Sequence, residues 1–136
     1  MTFRYDVTVR FSDTDMMGHV NNAAFNVFLE DARIAFFRSL MTETGEHFFG
    51  RGLIVARAEI DYVKPVFFGD PIEAEVFILE VGRSSFRVGY VLRQRGQEVA
   101  RAATVQVAYD YKTNSSRPLD DVERSVLETQ LAAVSS

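Results

Sequence analysis

The sequence predicts a single α+β domain in which one long helix lies across an antiparallel sheet. Three observations predict this class: an alternating N-terminal segment, one long segment with an apolar stripe at helical spacing, and four further alternating segments. The element order is therefore β-α-β-β-β-β, a five-stranded sheet followed by a short final helix. With 136 residues the chain has the size of one domain, so we assign residues 1–136 to a single domain.

The first strand and the helix occupy the first third of the chain. Apolar and polar side chains alternate from Phe3 to Phe11, which predicts a half-buried strand. Asn21 or Asn22 is expected to cap the start of the helix, and Gly45 fits its end, for a length of about 22 residues. The residues of its apolar stripe are Phe25, Phe28, Leu29, Ala32, Phe36 and Leu40.

The remaining strands are expected to form an antiparallel meander, because short turns join them. A weak apolar stripe from Leu119 to Ala133 predicts the last helix. Two edge strands remain unpaired, and dimerisation is one way to cover them. The four alternating segments are Gly52 to Val66, Ile72 to Val81, Phe86 to Leu92 and Val99 to Tyr111.

Composition excludes several classes of function. The net charge of −4 argues against general nucleic-acid binding. The absence of cysteine removes disulfides, thiol nucleophiles and zinc–thiolate sites, and fits a cytoplasmic protein. Two histidines are poor material for a zinc site, so neither a metal nor a cofactor is expected. No apolar run approaches the roughly 20 residues of a membrane span, and the alternating N-terminus is not typical of a signal peptide.

The segment from Arg10 to Phe37 concentrates the usable chemistry of the chain. Asp15 stands just before the helix, and an ionised carboxylate there can attack an activated acyl carbon or deprotonate water. Unpaired N–H groups in the first helical turn can stabilise a developing oxyanion. From spacing alone, however, a turn or capping role is the stronger interpretation of Asp15.

Neighbouring residues have competing interpretations. Asp13 is two residues from Asp15, and repulsion between their carboxylates could raise the pKa of one of the two. Alternatively, Asp13 only supports the loop. Gly18 permits a sharp turn between strand and helix. Glu30 and Arg33 are spaced for an intrahelical ion pair.

Three motifs together resemble a known family. They cover about residues 3 to 120, and the resemblance is to the acyl-CoA thioesterases of the hotdog fold, of the 4-hydroxybenzoyl-CoA thioesterase type. The first motif is Asp15-x-x-Gly18-His19-Val20-Asn21-Asn22, followed by Phe25, Phe28, Glu30 and Arg33. The second is Ile60-Asp61-Tyr62 with Pro65 and Phe68-Gly69-Asp70, and the third is Gly82-Arg83-Ser84-Ser85-Phe86.

The resemblance implies a long central helix wrapped by a curved sheet, with active sites at the interface of a homodimer that often pairs again into a homotetramer. It implies an acyl-CoA substrate, and Asp15 as the catalytic carboxylate with the backbone N–H of Asn22 as oxyanion donor. His19 could hydrogen-bond Asp15, hold the loop or contact substrate. The implied substrate-binding residues are Gly18, Met17, Phe25, Tyr62, Ser84 and Ser85. Many relatives carry Tyr where this chain has Phe25, so a hydroxyl is missing there.

The acyl group and the coenzyme A contacts stay open at this level. Fatty acyl chains are favoured, and phenylalanine-rich walls would also accept aromatic acyl groups. A non-catalytic module that binds acyl-CoA or an acyl carrier protein is the alternative function. The cations considered for the coenzyme A phosphates are Arg83, Arg87, Arg101, Lys112 and Arg117.

Overall fold

The computed structural model describes residues 2–40 and 52–135 and confirms the α+β class. One antiparallel sheet carries a long helix, α1, on its buried face, and a second helix, α2, lies against strand β3. The elements are β1 (Phe3–Val7), a 3₁₀ turn (Phe11–Asp13), α1 (Ala24–Ser39), β2 (Leu53–Tyr62), β3 (Ile72–Val81), β4 (Ser85–Gln94), β5 (Gln97–Asp110), β6 (Ser115–Ser116) and α2 (Asp121–Ser135).

Strand pairing differs from the expected meander. The order in the sheet is β1-β3-β4-β5-β2, so β2 pairs with β5 rather than with β3. The segment 63–71 therefore crosses from β2, at one edge of the sheet, to β3, the strand next to the other edge. Lys64 N–H donates to Val99 O of β5 at 3.1 Å, and Val20 N–H, in the loop before α1, donates to Val66 O at 2.7 Å, so the crossover is tied to both. This crossover forms one wall of the site described below.

The lengths of α1 and β1 and the number of strands also bear on the predictions. Helix α1 has 16 residues and ends at Ser39, where the Ser39 hydroxyl bonds Phe36 O at 2.6 Å. The predicted end at Gly45 lies outside the described residues. Strand β1 stops at Val7, which pairs with Ile72, the first residue of β3, and the chain then turns at Phe11–Asp13 instead of extending to Phe11. The described residues also include a sixth, two-residue strand, β6, where five strands were predicted.

The core lies between the inner face of the sheet and the apolar stripe of α1. Phe25, Phe28 and Phe36 on α1 are almost completely buried, which confirms the predicted stripe. A bulge between Val55 and Arg57 in β2 breaks the regular register, and such bulges increase the twist of a sheet. The packing places the N-terminus of α1 beside the end of β2, where Tyr62 lies.

Strand β2 is an edge strand with an unusually exposed middle. Residues Val55 to Glu59 are all exposed, and β5 is the one strand that pairs with β2 in the described part of the chain. Val55 and Tyr62 each expose 46 % of their surface. A ten-residue edge that is this accessible is a ready template for pairing with another strand.

Candidate active site

The loop between the 3₁₀ turn and α1 folds into a tight turn that presents Asp15. Asp15 N–H donates to His19 O at 2.8 Å, and Gly18 N–H donates to Asp15 O at 3.1 Å. Gly18 has a φ of 78°, a left-handed conformation that glycine adopts without steric cost. The turn role predicted for Gly18 is therefore confirmed.

The Asp15 side chain is exposed and lines a cleft of about 450 Å³. Its Oδ1 accepts hydrogen bonds from the backbone N–H groups of Met17 at 2.8 Å and His19 at 3.3 Å. Its Oδ2 has no hydrogen-bond partner within residues 2–40 and 52–135. The carboxylate thus stabilises the turn through Oδ1 and leaves Oδ2 without a partner. A structural role in the turn and a reactive role towards a substrate are therefore compatible.

The start of α1 supplies an unpaired amide to the same cleft. Ala23 N–H donates to Asn21 Oδ1 at 2.9 Å, which forms a local turn just before the helix. The N-cap residue is Ala23 and has no side-chain cap, so the predicted capping by Asn21 or Asn22 is wrong. Ala24 and Phe25 N–H groups bond to the carbonyls of Asn21 and Asn22. The Asn22 N–H has no acceptor in the part of the chain that the structure describes. This N–H is therefore available to donate a hydrogen bond, and it lies next to the positive end of the helix dipole.

Aromatic side chains shape the floor of the cleft. The rings of Phe25 and Tyr62 meet edge to face, with centroids 5.0 Å apart. The Tyr62 hydroxyl donates to Asn22 O at 3.3 Å and so ties β2 to the helix start. The crossover closes the other side of the cleft with Pro65 and Val66.

His19 holds the loop. Its ring packs edge to face on Phe67 with centroids 5.1 Å apart, and its backbone pairs with Phe67 as well as with Asp15. The ring lines the cleft, but its side chain makes no hydrogen bond to Asp15. Of the three roles considered for His19, the structure shows the support of the loop.

Asp13 is a buried support, not a partner of Asp15 in proton sharing. Its carboxylate accepts bonds from the Arg10 backbone N–H at 2.8 Å and from Arg10 Nη2 at 2.9 Å. Burial raises the pKa of Asp13, but the hydrogen bonds and charge of Arg10 outweigh it and leave that pKa below its ordinary value. The pKa of Asp13 is therefore not raised, as repulsion from a second carboxylate would require. The backbone carbonyl of Asp13 also accepts the Asn21 N–H at 2.7 Å.

The structure brings some predicted site residues together and leaves others apart. Asp15, His19, Asn22, Phe25 and Tyr62 line one cleft. The residues that do not line it belong to the same loop or to the β3–β4 turn: Met17 and Gly18, and Ser84 and Ser85.

Two predictions about charged groups are wrong. Arg33 does not pair with Glu30 but donates to the Tyr90 hydroxyl at 3.3 Å, because the helix faces the sheet at that position. Arg117 cannot hold a coenzyme A phosphate, because it is buried and donates two bonds to Glu123, at 2.7 and 3.0 Å.

Sequence reasoning missed Lys64. This residue lines the cleft, is exposed, and donates to Gln97 Oε1 at 3.1 Å. It is the one lysine or arginine among the described residues that line the cleft. A lone lysine before Pro65 carries no local signal, since only the crossover brings it to Asp15. Across residues 2–40 and 52–135, no three His, Asp or Glu side chains group closely enough to hold a metal ion.

The amino-acid sequence is similar to that of known thioesterases. The family model described as "Thioesterase-like superfamily" matches residues 9–131. A 1,4-dihydroxy-2-naphthoyl-CoA hydrolase of Synechococcus elongatus is 33% identical over 122 residues, which cover 88% of this chain and 90% of that protein.

Two solved structures are similar over nearly the whole chain. A thioesterase from Thermus thermophilus, complexed with coenzyme A and Zn, is 34% identical with a TM-score of 0.81, covering 93% of this chain and 92% of that one. A predicted thioesterase from Bacillus stearothermophilus is 28% identical with a TM-score of 0.85, covering 96% of each chain. The helices of the described residues include none that is long and apolar enough to cross a membrane.

Proposed function

Because this chain belongs to the thioesterase-like superfamily, we propose that it hydrolyses aromatic acyl-CoA thioesters, with Asp15 as the reacting carboxylate and the Asn22 N–H as oxyanion donor. One observation supports this most strongly. A carboxylate with an unbonded oxygen and a helix-terminal amide without an acceptor line the same cleft, within the part of the chain that the structure describes.

The reaction balances with groups present in the cleft. Water adds to the thioester carbon, the C–S bond breaks, and the products are a carboxylate and coenzyme A. As general base, Asp15 takes a proton from the attacking water and returns it to the leaving thiolate. As nucleophile, Asp15 forms a mixed anhydride that water then cleaves. Oδ2 is the atom that acts in either route, since Oδ1 already accepts two backbone bonds.

The oxyanion site stabilises negative charge because its N–H donor lies at the start of a helix. As the carbonyl carbon becomes tetrahedral, its oxygen gains negative charge, and the Asn22 N–H at the start of a 16-residue helix meets that charge. Loss of one such donor typically costs about 3 kcal/mol of transition-state stabilisation. Tyr62 positions this amide through its bond to Asn22 O.

The aromatic acyl group is preferred over the fatty chain for two reasons. The relative from Synechococcus elongatus is named for a dihydroxynaphthoyl thioester. The cleft is also floored by the Phe25–Tyr62 pair, against which an aromatic ring can pack edge to face. Lys64, an exposed residue that lines the cleft, is the cation proposed to bind the phosphates of coenzyme A.

The working unit proposed here is a homodimer formed by pairing of the exposed β2 edges, and two such dimers would make the tetramer that the sequence resemblance implies. Light scattering coupled to size-exclusion chromatography measures this mass directly. A monomer of 15.4 kDa at micromolar concentration contradicts the dimer. The absence of cysteine supports a reducing, cytoplasmic location.

A substrate panel tests the function. Purified protein is incubated with 1,4-dihydroxy-2-naphthoyl-CoA, benzoyl-CoA, octanoyl-CoA and palmitoyl-CoA, and released thiol is followed by a colorimetric reagent. The expected result is the highest kcat/KM for an aromatic thioester. Tight binding of every thioester without thiol release would instead support the alternative, a non-catalytic binding module.

A further inference from the structure

A second cavity lies at the other end of β2. It has a volume of about 210 Å³ and lies between the second half of α1 and the first residues of β2. Ile34, Phe37 and Val55 give it apolar walls, while Arg33 and Gln106 contribute polar groups. An apolar cavity with a few polar groups is the usual form of a small-molecule subsite.

Gln106 is the unusual residue of this cavity. Its side chain is 1% exposed, and its Nε2 donates to Thr104 Oγ1 at 2.6 Å. Its Oε1 has no hydrogen-bond partner and is the one buried side-chain polar atom without a partner in the described part of the chain. Buried acceptors are nearly always paired, so an unpaired one beside a cavity points to a donor on a ligand.

A chain of hydrogen bonds holds Gln106 in place. Thr104 Oγ1 lies 2.7 Å from the Tyr90 hydroxyl, which accepts a bond from Arg33 Nη1 at 3.3 Å. Because the amide nitrogen is engaged by this chain, Oε1 is the atom of Gln106 that is left to accept a further hydrogen bond. A hydroxyl group donates to such an oxygen, and a hydroxylated aromatic ring also fits the apolar walls.

Within one copy, this cavity is too far from Asp15 to share its substrate. The cleft uses Tyr62 of β2 and the cavity uses Val55, seven residues earlier, which is roughly 23 Å at the rise of a strand. Along α1, Phe25 and Arg33 are separated by about 12 Å at the rise of a helix. An aromatic acyl group of one or two rings is shorter than either separation.

Two-fold pairing of β2 brings the two sites together. If the edges pair antiparallel about the middle of Leu53–Tyr62, Tyr62 of one copy stands opposite Leu53 of the other. Leu53 lines the cavity, so each Asp15 cleft then adjoins the Gln106 cavity of the second copy.

We propose that Gln106 of one copy selects a hydroxyl group on the acyl moiety of the thioester that Asp15 of a second copy hydrolyses. The inference rests on the proposed function and on the proposed dimer, and it names a specificity-determining residue for that reaction.

The first test compares benzoyl-CoA with the three hydroxybenzoyl-CoA isomers. The wild type is expected to favour at least one hydroxylated isomer over benzoyl-CoA by about tenfold in kcat/KM. Gln106→Met, which keeps the shape but removes the acceptor, is expected to bring that ratio to about one. Gln130→Met, the same change at a partly buried residue of α2 outside both sites, is the control and keeps the wild-type ratio. An unchanged ratio in Gln106→Met overturns the proposal.

Mixed dimers test the contribution from the second copy. Gln106→Met is mixed with an excess of Asp15→Asn, so that each intact Asp15 faces an intact Gln106 of the other copy. Recovery of the wild-type hydroxyl preference is expected. A preference that stays near one shows that Gln106 does not act across the interface and overturns the arrangement in trans.

A binding measurement separates this inference from the proposed function. Calorimetry compares benzoate with the three hydroxybenzoates on the wild type, Gln106→Met and, should that variant not fold, Gln106→Leu. If the wild type cleaves no thioester, the proposed function fails, while a hydroxyl preference lost in the Gln106 variants still supports the subsite. Equal affinity for benzoate and all hydroxybenzoates contradicts the subsite whatever the activity.

Discussion

Replacement of Asp13 by alanine separates loop support from chemistry. The carboxylate of this buried residue accepts the Arg10 backbone N–H at 2.8 Å and Arg10 Nη2 at 2.9 Å. The Arg10 side chain is 62% exposed, so its charge adds little, and the main loss is the bond between a buried carboxylate and a backbone N–H. Such a bond contributes about 2 kcal/mol, which for a domain of this size lowers Tm by about 6 °C.

The matched variant is Asp15→Asn, two residues away. Asp15 is exposed, and an asparagine oxygen still accepts the bonds from Met17 and His19, so the free energy of unfolding should change by less than about 0.5 kcal/mol. Asp13→Ala should lower kcat only about tenfold, through displacement of the loop.

Urea unfolding followed by circular dichroism, and thiol release from the preferred acyl-CoA, measure the two quantities on the same preparations. An Asp13→Ala protein with wild-type stability refutes the assignment of Asp13 as the support. So does a loss of stability in Asp15→Asn as large as that in Asp13→Ala.

Three further outcomes are expected. Since the pKa of Asp13 is lowered by folding, its contribution is present above the unfolded pKa of about 3.9 and is lost as the pH falls through the folded value; the stability gap between wild type and Asp13→Asn should therefore narrow in urea titrations below pH 4. Glu123→Leu should lower the free energy of unfolding by about 3 kcal/mol because it strands the buried Arg117 guanidinium, and Arg117→Met/Glu123→Leu should recover most of that loss in the same assay. Tyr62→Phe should lower kcat about threefold, with little change in Tm, because the bond that positions Asn22 is lost.

The sequence predicts the individual helices and strands of this fold well, but it predicts the pairing of distant strands poorly. Alternation identified β3 from Ile72 to Val81 with the boundaries that the structure has, because each side chain on its inner face meets the core. Alternation does not determine which strand lies beside which, so it predicts a meander where the structure has a crossover at 63–71 and pairs β2 with β5.

The same limit applies to the candidate site. Asp15, Asn22 and Phe25 belong to one local motif, and the structure places all three on one cleft. Lys64 reaches that cleft only through the crossover. Arg33 prefers Tyr90, 57 positions away in the chain, to its helical neighbour Glu30, because the buried hydroxyl network lies on that face of the helix.

Turnover of the preferred acyl-CoA by Asp15→Asn tests the role of the cleft carboxylate most directly. Amide for carboxylate removes the base and the nucleophile but keeps the size of the side chain and the bonds that brace the turn. A fall in kcat of at least about 100-fold is expected, with Tm within about 2 °C of the wild type. A kcat within about threefold of the wild type contradicts the assignment of Asp15 as the group that acts on the thioester.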